Sequence, residues 1–486
     1  MSREEFIRLV LSHFDFEPTI EQRSALLVLT NFLADRDERS VMLLRGAAGT
    51  GKTSLSGAVV RTLAALEQHI ILLAPTGRAA KVFSLNSGHP ASTIHRCIYR
   101  QKEFEGDFNL NYNAFTHTLF LVDEASMIGS QLLEDLISFV YSGTGCRLML
   151  IGDHAQLPPV GEQLSPALST EELHMQGLSV YESTLNEVLR QASESGILYN
   201  ATHIRNHNPL LPSLPCIRLG FPDVHVISGA DFVEMLDRSY REVGIDETMV
   251  VTRSNKRAVT YNLGIRNTLL DREEQLERGD MLMIVKNKYL AGRQGVLGVQ
   301  GDRETRRQGD RDNSAEGDLS FIANGDRARV LRVRKQRELY GFHFTDVLLQ
   351  FPDYDNQELV TTVLTDSLTT EAPALTAEQQ RQLYESVMAD YADIPRKADR
   401  IKAIKTDPHY NALQVKYAYA STCHKAQGGQ WAHIYLDQGL IPNSSLMGSG
   451  REGISATDYI HWLYTAFTRA TEHLYLVNWP KEQMEE

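Results

Sequence analysis

Four short apolar runs punctuate the first third of the chain: VMLL (41–44), IILLA (70–74), TLFLV (118–122) and RLMLIG (147–152). They are aliphatic and β-branched and do not alternate with polar residues. That is the pattern of strands buried on both faces of a parallel sheet. The spacing between them leaves room for crossover helices. The theme returns in TMVVT (248–252), VKYAYAS (415–421), HIYLD (433–437) and HLYLV (473–477), which predicts a second parallel sheet. Between these strands the texture changes. MLMIV (281–285), RARVLRV (327–333), HFTDVLLQF (343–351) and LVTTVL (359–364) read as short antiparallel strands joined by turns such as Asn324-Gly325. TAEQQRQLYESVMADY (376–391) reads as a helix capped by Thr376. Residues 279–410 are therefore predicted to form an insertion with a small β-barrel-like domain. The glycine-rich, charged stretch 291–319 is predicted to be mobile.

Residues Gly46 to Thr53, GAAGTGKT, follow the first apolar run and precede a helical pattern of Leu55, Ala58, Val59, Leu63 and Leu66. They fit the phosphate-binding loop G-x-x-x-x-G-K-[ST]. The backbone amides of Gly46, Ala47, Ala48, Gly49, Thr50, Gly51, Lys52, Thr53 and Ser54 would cradle a polyphosphate at a helix N-terminus. Lys52 would face the β- and γ-phosphates, and the Thr53 hydroxyl would ligate Mg²⁺. No second loop of this kind accompanies the later strands, so one nucleotide site between two similar sheets is expected.

Length and charge set limits on this reading. The 486 residues suffice for two or three domains. A net charge of −13 argues against a protein that coats nucleic acid electrostatically, but not against a narrow groove with local positive charge. The stretch from Arg293 to Arg337 is locally basic yet mixed with acids. No apolar run approaches the ~20 residues of a membrane span. The N-terminal segment lacks the pattern of a secretion signal, and the four cysteines are widely spaced, so reduced thiols, no zinc site and a cytoplasmic setting are expected.

Two acids end the third apolar run in LVDEAS (121–126). A carboxylate at a strand's carboxyl end is placed to hold Mg²⁺, and its neighbour to orient the attacking water. Asp123 is assigned to the metal and Glu124 to the catalytic base. In IGDHAQLPPVG (151–161), the Gln156 amide is a candidate sensor of the γ-phosphate, on a turn fixed by Pro158 and Pro159. Phosphoryl transfer also needs cations on the developing charge. Arg190 in LNEVLRQ and Arg469 in LYTAFTRA are the candidates, with Arg253 a weaker competitor. Upstream, Gln22 in PTIEQRSAL is either an adenine-reading amide, favouring ATP, or a helix-surface residue.

In order, these segments resemble the motif series of superfamily 1 helicases, and most of all the RecD-like and Dda-like branch that moves 5′ to 3′. PTGRAAK (75–81) resembles motif Ia, STIHR (92–96) motif Ib, LVDEAS and GDHAQLPP motifs II and III, STCHKAQGGQW (421–431) motif V and YTAFTRA motif VI. The resemblance implies an α/β fold of two RecA-like domains, with an SH3-like β-barrel inserted in the second. The implied limits are 1–183 for the first domain, 184–278 and 411–486 for the second, and 279–410 for the insertion. It also implies a small pin-like insert at about 97–117, with Glu105-Gly106-Asp107 as its turn and Phe104 and Phe108 beside it. The track would be single-stranded DNA, entered at single-strand/duplex junctions, with the chain acting as a monomer and away from membranes. Pro75, Thr76, Arg78, Thr93 and His95 would touch the strand from the first domain, and Thr422, His424 and Lys425 from the second. Phe83 either stacks on a base or fills the core of its helix, and the two histidines are equally compatible with structural roles. An RNA motor of the same superfamily and a nucleotide-dependent switch that binds a protein remain the alternatives. The paired segments PTGRAAK and STCHKAQG count against the switch.

Overall fold

A computed structural model of the chain describes residues 2–101, 108–188, 195–210, 214–289, 321–439 and 455–485. Two compact units emerge. One is formed by residues 1–100, 109–258 and 419–486, the other by 101–108 and 259–418.

The first unit holds two all-parallel sheets. In the larger, the strands run Ala91–Thr93, Ile70–Ala74, Leu119–Val122, Arg147–Gly152, Ser40–Gly46 and Ser179–Leu185. Alternate residues of each central strand enter different apolar clusters. Met42, Leu44, Leu72, Leu121 and Met149 pack on one face, and Val41, Leu43, Leu73, Phe120 and Leu148 on the other. Both faces are thus covered, which is why these runs do not alternate in sequence. The second sheet runs Val224–Ile227, Ala470–Val477, Trp431–Asp437, Thr248–Thr252 and Ala420–Thr422. Its core joins Met249, Val251, Ile434, Leu436 and Leu474 to Tyr459, Leu463 and Phe467 of the helix Ala456–Phe467. The fold is mixed α/β with parallel sheets.

The second unit contains a closed barrel of Met281–Ile284, Arg327–Leu339, Phe342–Phe351, Gln357–Leu364 and Leu413–Tyr417, antiparallel except for the last pair. The helix Ala377–Asp390 begins in a capping box between Thr376 and Gln379. It packs Leu383 and Val387 against Phe342, Phe344 and Leu364 of the barrel. A buried fork pins the approach to the barrel: Arg266 donates to both oxygens of Asp280, each at 2.9 Å, and stacks over Tyr417 at 4.4 Å.

One expectation is corrected here. VKYAYAS is two strands, not one: Leu413–Tyr417 closes the barrel, and Ala420–Thr422 is an edge of the second parallel sheet. The barrel's last strand therefore lies beyond the limit at 410 drawn from sequence. The run stays buried from Leu413 to Ser421, so no polar residue marks the change. In the region of the expected pin, Tyr99–Gln101 pairs with Phe108–Leu110. The intervening residues, with Phe104 and Glu105-Gly106-Asp107, lie outside the described residues, as does the segment 291–319. Among the described residues no helix is long and apolar enough to cross a membrane.

Candidate nucleotide site

Three adjacent strands of the larger sheet deliver the chemistry at their carboxyl ends, where ligands bind in open α/β sheets. Ser40–Gly46 runs into the loop 46–53, Leu119–Val122 into Asp123 and Glu124, and Arg147–Gly152 into Asp153 and Gln156. The loop curls through left-handed glycines, Gly49 at φ 76° and Gly51 at φ 78°, and the helix Lys52–Ala65 follows at once. At Gly46 an added Cβ would lie 2.8 Å from the Thr50 hydroxyl and 3.0 Å from the Lys52 side chain. The Lys52 ammonium donates to the carbonyls of Gly46 and Ala47, the latter at 2.8 Å. The Thr50 hydroxyl closes the loop onto Ala47 O at 2.8 Å.

Glu124 has φ 54° and ψ 40° and precedes a short 3₁₀ turn, Ala125–Met127. A non-glycine residue in that region is strained, and such strain concentrates at functional sites. Its amide donates to Asp123 Oδ1 at 2.9 Å, so the two carboxyls leave the strand in fixed directions. Burial, and then the neighbouring Glu124, push the Asp123 carboxyl up to about 7. Gln156 is buried, and its Oε1 has no hydrogen-bond partner among the described residues.

A cleft of about 500 Å³ gathers Lys52, Thr53, Asp123, Glu124 and Gln156 from this sheet with Arg469 from the second. A neighbouring cavity of about 390 Å³ shares Asp153 and Gln156 with it. Arg469 is almost wholly buried. Its guanidinium donates to Thr465 O at 3.1 Å, Gly429 O at 3.0 Å and Thr468 Oγ1 at 3.1 Å. Arg253 follows the strand Thr248–Thr252 and is not among the residues lining the cleft. Arg190 lies outside the described residues.

Further residues bind the two sheets together here, and the sequence reading passed over them. Tyr464 accepts from Ala48 N at 2.8 Å and donates to Asp153. Leu157 is clamped on both backbone atoms: its amide donates to Thr465 Oγ1 and its carbonyl accepts from Gln427 Nε2, each at 2.7 Å. All of these stand inside the quoted motifs. Their signal was adjacency to a catalytic candidate.

Two readings are corrected. Gln22 is fully buried, and its amide is committed to backbone: Oε1 accepts from Thr19 N and Nε2 donates to Thr50 O, both at 3.0 Å. It braces the phosphate loop and presents no edge to a base. Phe83 is fully buried in the apolar core against the sheet, with no ring face open for stacking.

The remaining candidates also sit at strand ends. Pro75 and Thr76 follow Ile70–Ala74, and Thr76 caps the helix Gly77–Ser87 by accepting from Ala79 N at 3.2 Å. Thr93 is buried and caps Ile94–Ile98, while His95 is tilted against Tyr99 with ring centres 5.5 Å apart. Burial lowers the His95 pKa from its ordinary value. Thr422 ends the edge strand Ala420–Thr422, and His424 and Lys425 follow it, with His424 exposed. Burial lowers the Lys425 pKa too. The two groups approach each other at Gly428, where a Cβ would lie 3.1 Å from Thr76 Oγ1. Arg78 is turned onto Trp431.

Comparison with known proteins gives these motifs a lineage. Residues 21–210 match the AAA domain family, and residues 417–477 match the UvrD-like helicase C-terminal domain. The ATP-dependent RecD2 DNA helicase of Deinococcus radiodurans is 29% identical over 262 residues, covering 51% of this chain and 34% of that protein. The ATP-dependent DNA helicase dda of Enterobacteria phage T4 is 30% identical over 191 residues, covering 36% of this chain and 39% of that protein. The matched part thus spans between a third and two fifths of these relatives' length. A Pif1 helicase from Bacteroides, solved with ADP-AlF3 and ssDNA, aligns over 97% of this chain and 95% of that one, at 13% identity and a TM-score of 0.46. Through its two matched domains and its curated relatives, the chain is similar to superfamily 1 helicases of the RecD-like and Dda-like branch.

Proposed function

We propose that the chain is an ATP- and Mg²⁺-dependent DNA helicase that moves 5′ to 3′ along single strands and opens duplex at single-strand junctions. The observation that carries this reading is the cleft in which Lys52, Asp123, Glu124 and Gln156 of one parallel sheet meet Arg469 of the other. An arginine facing a phosphate loop from a second sheet suits a motor whose halves close on a nucleotide and reopen after hydrolysis. The relatives' names, ATP-dependent DNA helicases, support the substrate.

The donor set fits magnesium. A threonine hydroxyl and a carboxylate are hard oxygen ligands, and a few such groups plus phosphate oxygens satisfy an ion that keeps several waters. Thr53 and Asp123 would hold it, and its charge would favour the ionised form of the Asp123 carboxyl. Lys52 would neutralise the phosphates, Gln156 would sense the γ-phosphate, Glu124 would take the proton from the attacking water, and Arg469, with Arg190, would meet the charge that develops. Pro75, Thr76, Arg78, Thr93 and His95 on one side, and Thr422, His424 and Lys425 on the other, would grip the strand through phosphates without reading sequence. We read the two sheets as RecA-like domains, the closed barrel as the SH3-like insertion of the second, and the chain as a cytoplasmic monomer.

Direction is the sharpest test of the branch. A duplex with a 5′ single-stranded tail is expected to be unwound and one with a 3′ tail left largely intact. Support comes from LNEVLRQ, from a β-rich rather than helical insertion, and from the short insert before motif II. Preferential unwinding from the 3′ tail would falsify the branch while leaving the nucleotide site untouched. Turnover stimulated by RNA but not by DNA oligomers would remove the DNA track itself.

Lys425→Ala is expected to weaken single-stranded DNA binding equally for unrelated sequences. The salt slope of log affinity should fall by roughly 0.7, the share of one phosphate contact on a single strand. Fluorescence anisotropy across a salt series measures both. A sequence-dependent loss, or an unaltered slope, would show that Lys425 meets no phosphate.

A further inference from the structure

Arg78 is a candidate strand contact, yet its guanidinium is folded onto the protein. The guanidinium carbon lies 4.4 Å from the centre of the Trp431 ring. Nη2 donates to the carbonyl of Gln430 and stands 3.8 Å from Glu247 Oε1. The side chain is 16% exposed, and Nε has no partner among the described residues. The opposite side of the same short strap, Gly429–Gln430–Trp431, is held by Arg469. Arg469 Nη1 donates to Gly429 O at 3.0 Å, and Trp431 N donates to Arg469 O at 2.9 Å. Packing leaves the strap little play: a Cβ on Gly429 would lie 2.4 Å from the Trp431 ring and 3.2 Å from Arg78 Cδ. One three-residue strap thus stands between the arginine of the motif Ia segment and the arginine of the nucleotide cleft.

We propose that Arg78 is a latch that couples strand binding to Arg469. In the observed arrangement Arg78 grips the strap and so keeps the Gly429 carbonyl on the Arg469 guanidinium. A strand phosphate draws Arg78 off Trp431 and Gln430, the strap relaxes, and Arg469 is released to turn toward the nucleotide. The exchange is favourable because a phosphate offers several anionic oxygens within bonding distance, whereas the folded fork bonds one neutral carbonyl and has its one carboxylate, the half-exposed Glu247, 3.8 Å away. Both partners are ionised in a guanidinium–phosphate pair, and the guanidinium matches phosphate in two-pronged geometry, which a single carbonyl cannot. The coupling also obeys population shift: the phosphate contact exists only in the released state, so the strand favours that state. Arg78 is therefore a positioning residue, acting on Arg469 through Gly429. This rests on the DNA-stimulated motor proposed above.

The test is ATP turnover with and without a saturating oligo-dT, alongside anisotropy of the labelled oligomer. Arg78→Ala is expected to raise strand-free turnover about fivefold, the factor set by one cation–π contact of ordinary strength. The stimulated-to-unstimulated ratio should shrink correspondingly. Trp431→Leu, which removes the ring but no phosphate contact, is expected to raise strand-free turnover as well, with DNA affinity kept. Arg78→Lys, which keeps a charge but not the planar fork, should lie between wild type and Arg78→Ala. Unchanged strand-free turnover in Arg78→Ala, with stimulation only moved to higher DNA concentration, overturns the latch and leaves a plain strand contact. A parallel fall of basal and stimulated rates overturns it in favour of structural support. If wild-type turnover does not respond to any DNA oligomer, the motor reading fails first and the latch with it.

Discussion

Glu124→Gln is expected to abolish ATP turnover while leaving nucleotide binding intact, and Lys52→Ala to lose both. Glu124 leaves the end of Leu119–Val122 in a left-handed conformation and beside Asp123, so its carboxyl direction is set by backbone geometry. Glutamine keeps that shape and volume. It cannot accept a proton from water, and removing a general base of this kind costs roughly 10²–10⁴ in rate. Lys52 instead sits within the loop, its ammonium on the carbonyls of Gly46 and Ala47. Removing it takes a full positive charge away from the phosphates in ground state and transition state alike, so affinity falls with rate. Single-turnover hydrolysis with DNA present, together with titration of a fluorescent nucleotide, separates the two effects. Near wild-type hydrolysis by Glu124→Gln would show that another group takes the proton.

What could be read from the sequence depended on burial. The central strands, sealed on both faces, wrote themselves as unbroken aliphatic runs, and IILLA and RLMLIG coincide with Ile70–Ala74 and Arg147–Gly152. The edges did not. Ala91–Thr93 is three small or polar residues, and most of Ser179–Leu185 is only half covered, so neither carries a strong apolar signal. VKYAYAS failed for the opposite reason: it is buried throughout, and nothing in its composition marks where one sheet ends and another begins. Side-chain direction was less legible still. Gln22 and Phe83 have residue types that suit base recognition, yet a capping box and an apolar core claim them. Tyr464 and Gln427 bridge the two sheets through hydrogen bonds that span hundreds of residues in sequence, a relation no local spacing encodes.

Arg469→Ala is expected to lower ATP turnover by roughly 10³ or more, the usual worth of an arginine that meets charge on a transferring phosphoryl group. Nucleotide affinity should change far less than rate, because that charge is greatest in the transition state. The residue also has structural bonds, to Thr465 O, Gly429 O and Thr468 Oγ1, so the variant has to be distinguished from a loosened fold. Arg469→Lys provides the distinction. It retains a cation of similar reach but loses the planar fork, so melting should move less than in the alanine variant while turnover stays low. Lost nucleotide binding with unchanged turnover at saturation would mean that Arg469 holds the ground state and is no finger. Full turnover in Arg469→Lys would mean that a point charge suffices there. The severe result, slow chemistry on normally bound ATP in a folded protein, is what the geometry predicts, since Arg469 lines the cleft with Lys52 and Glu124.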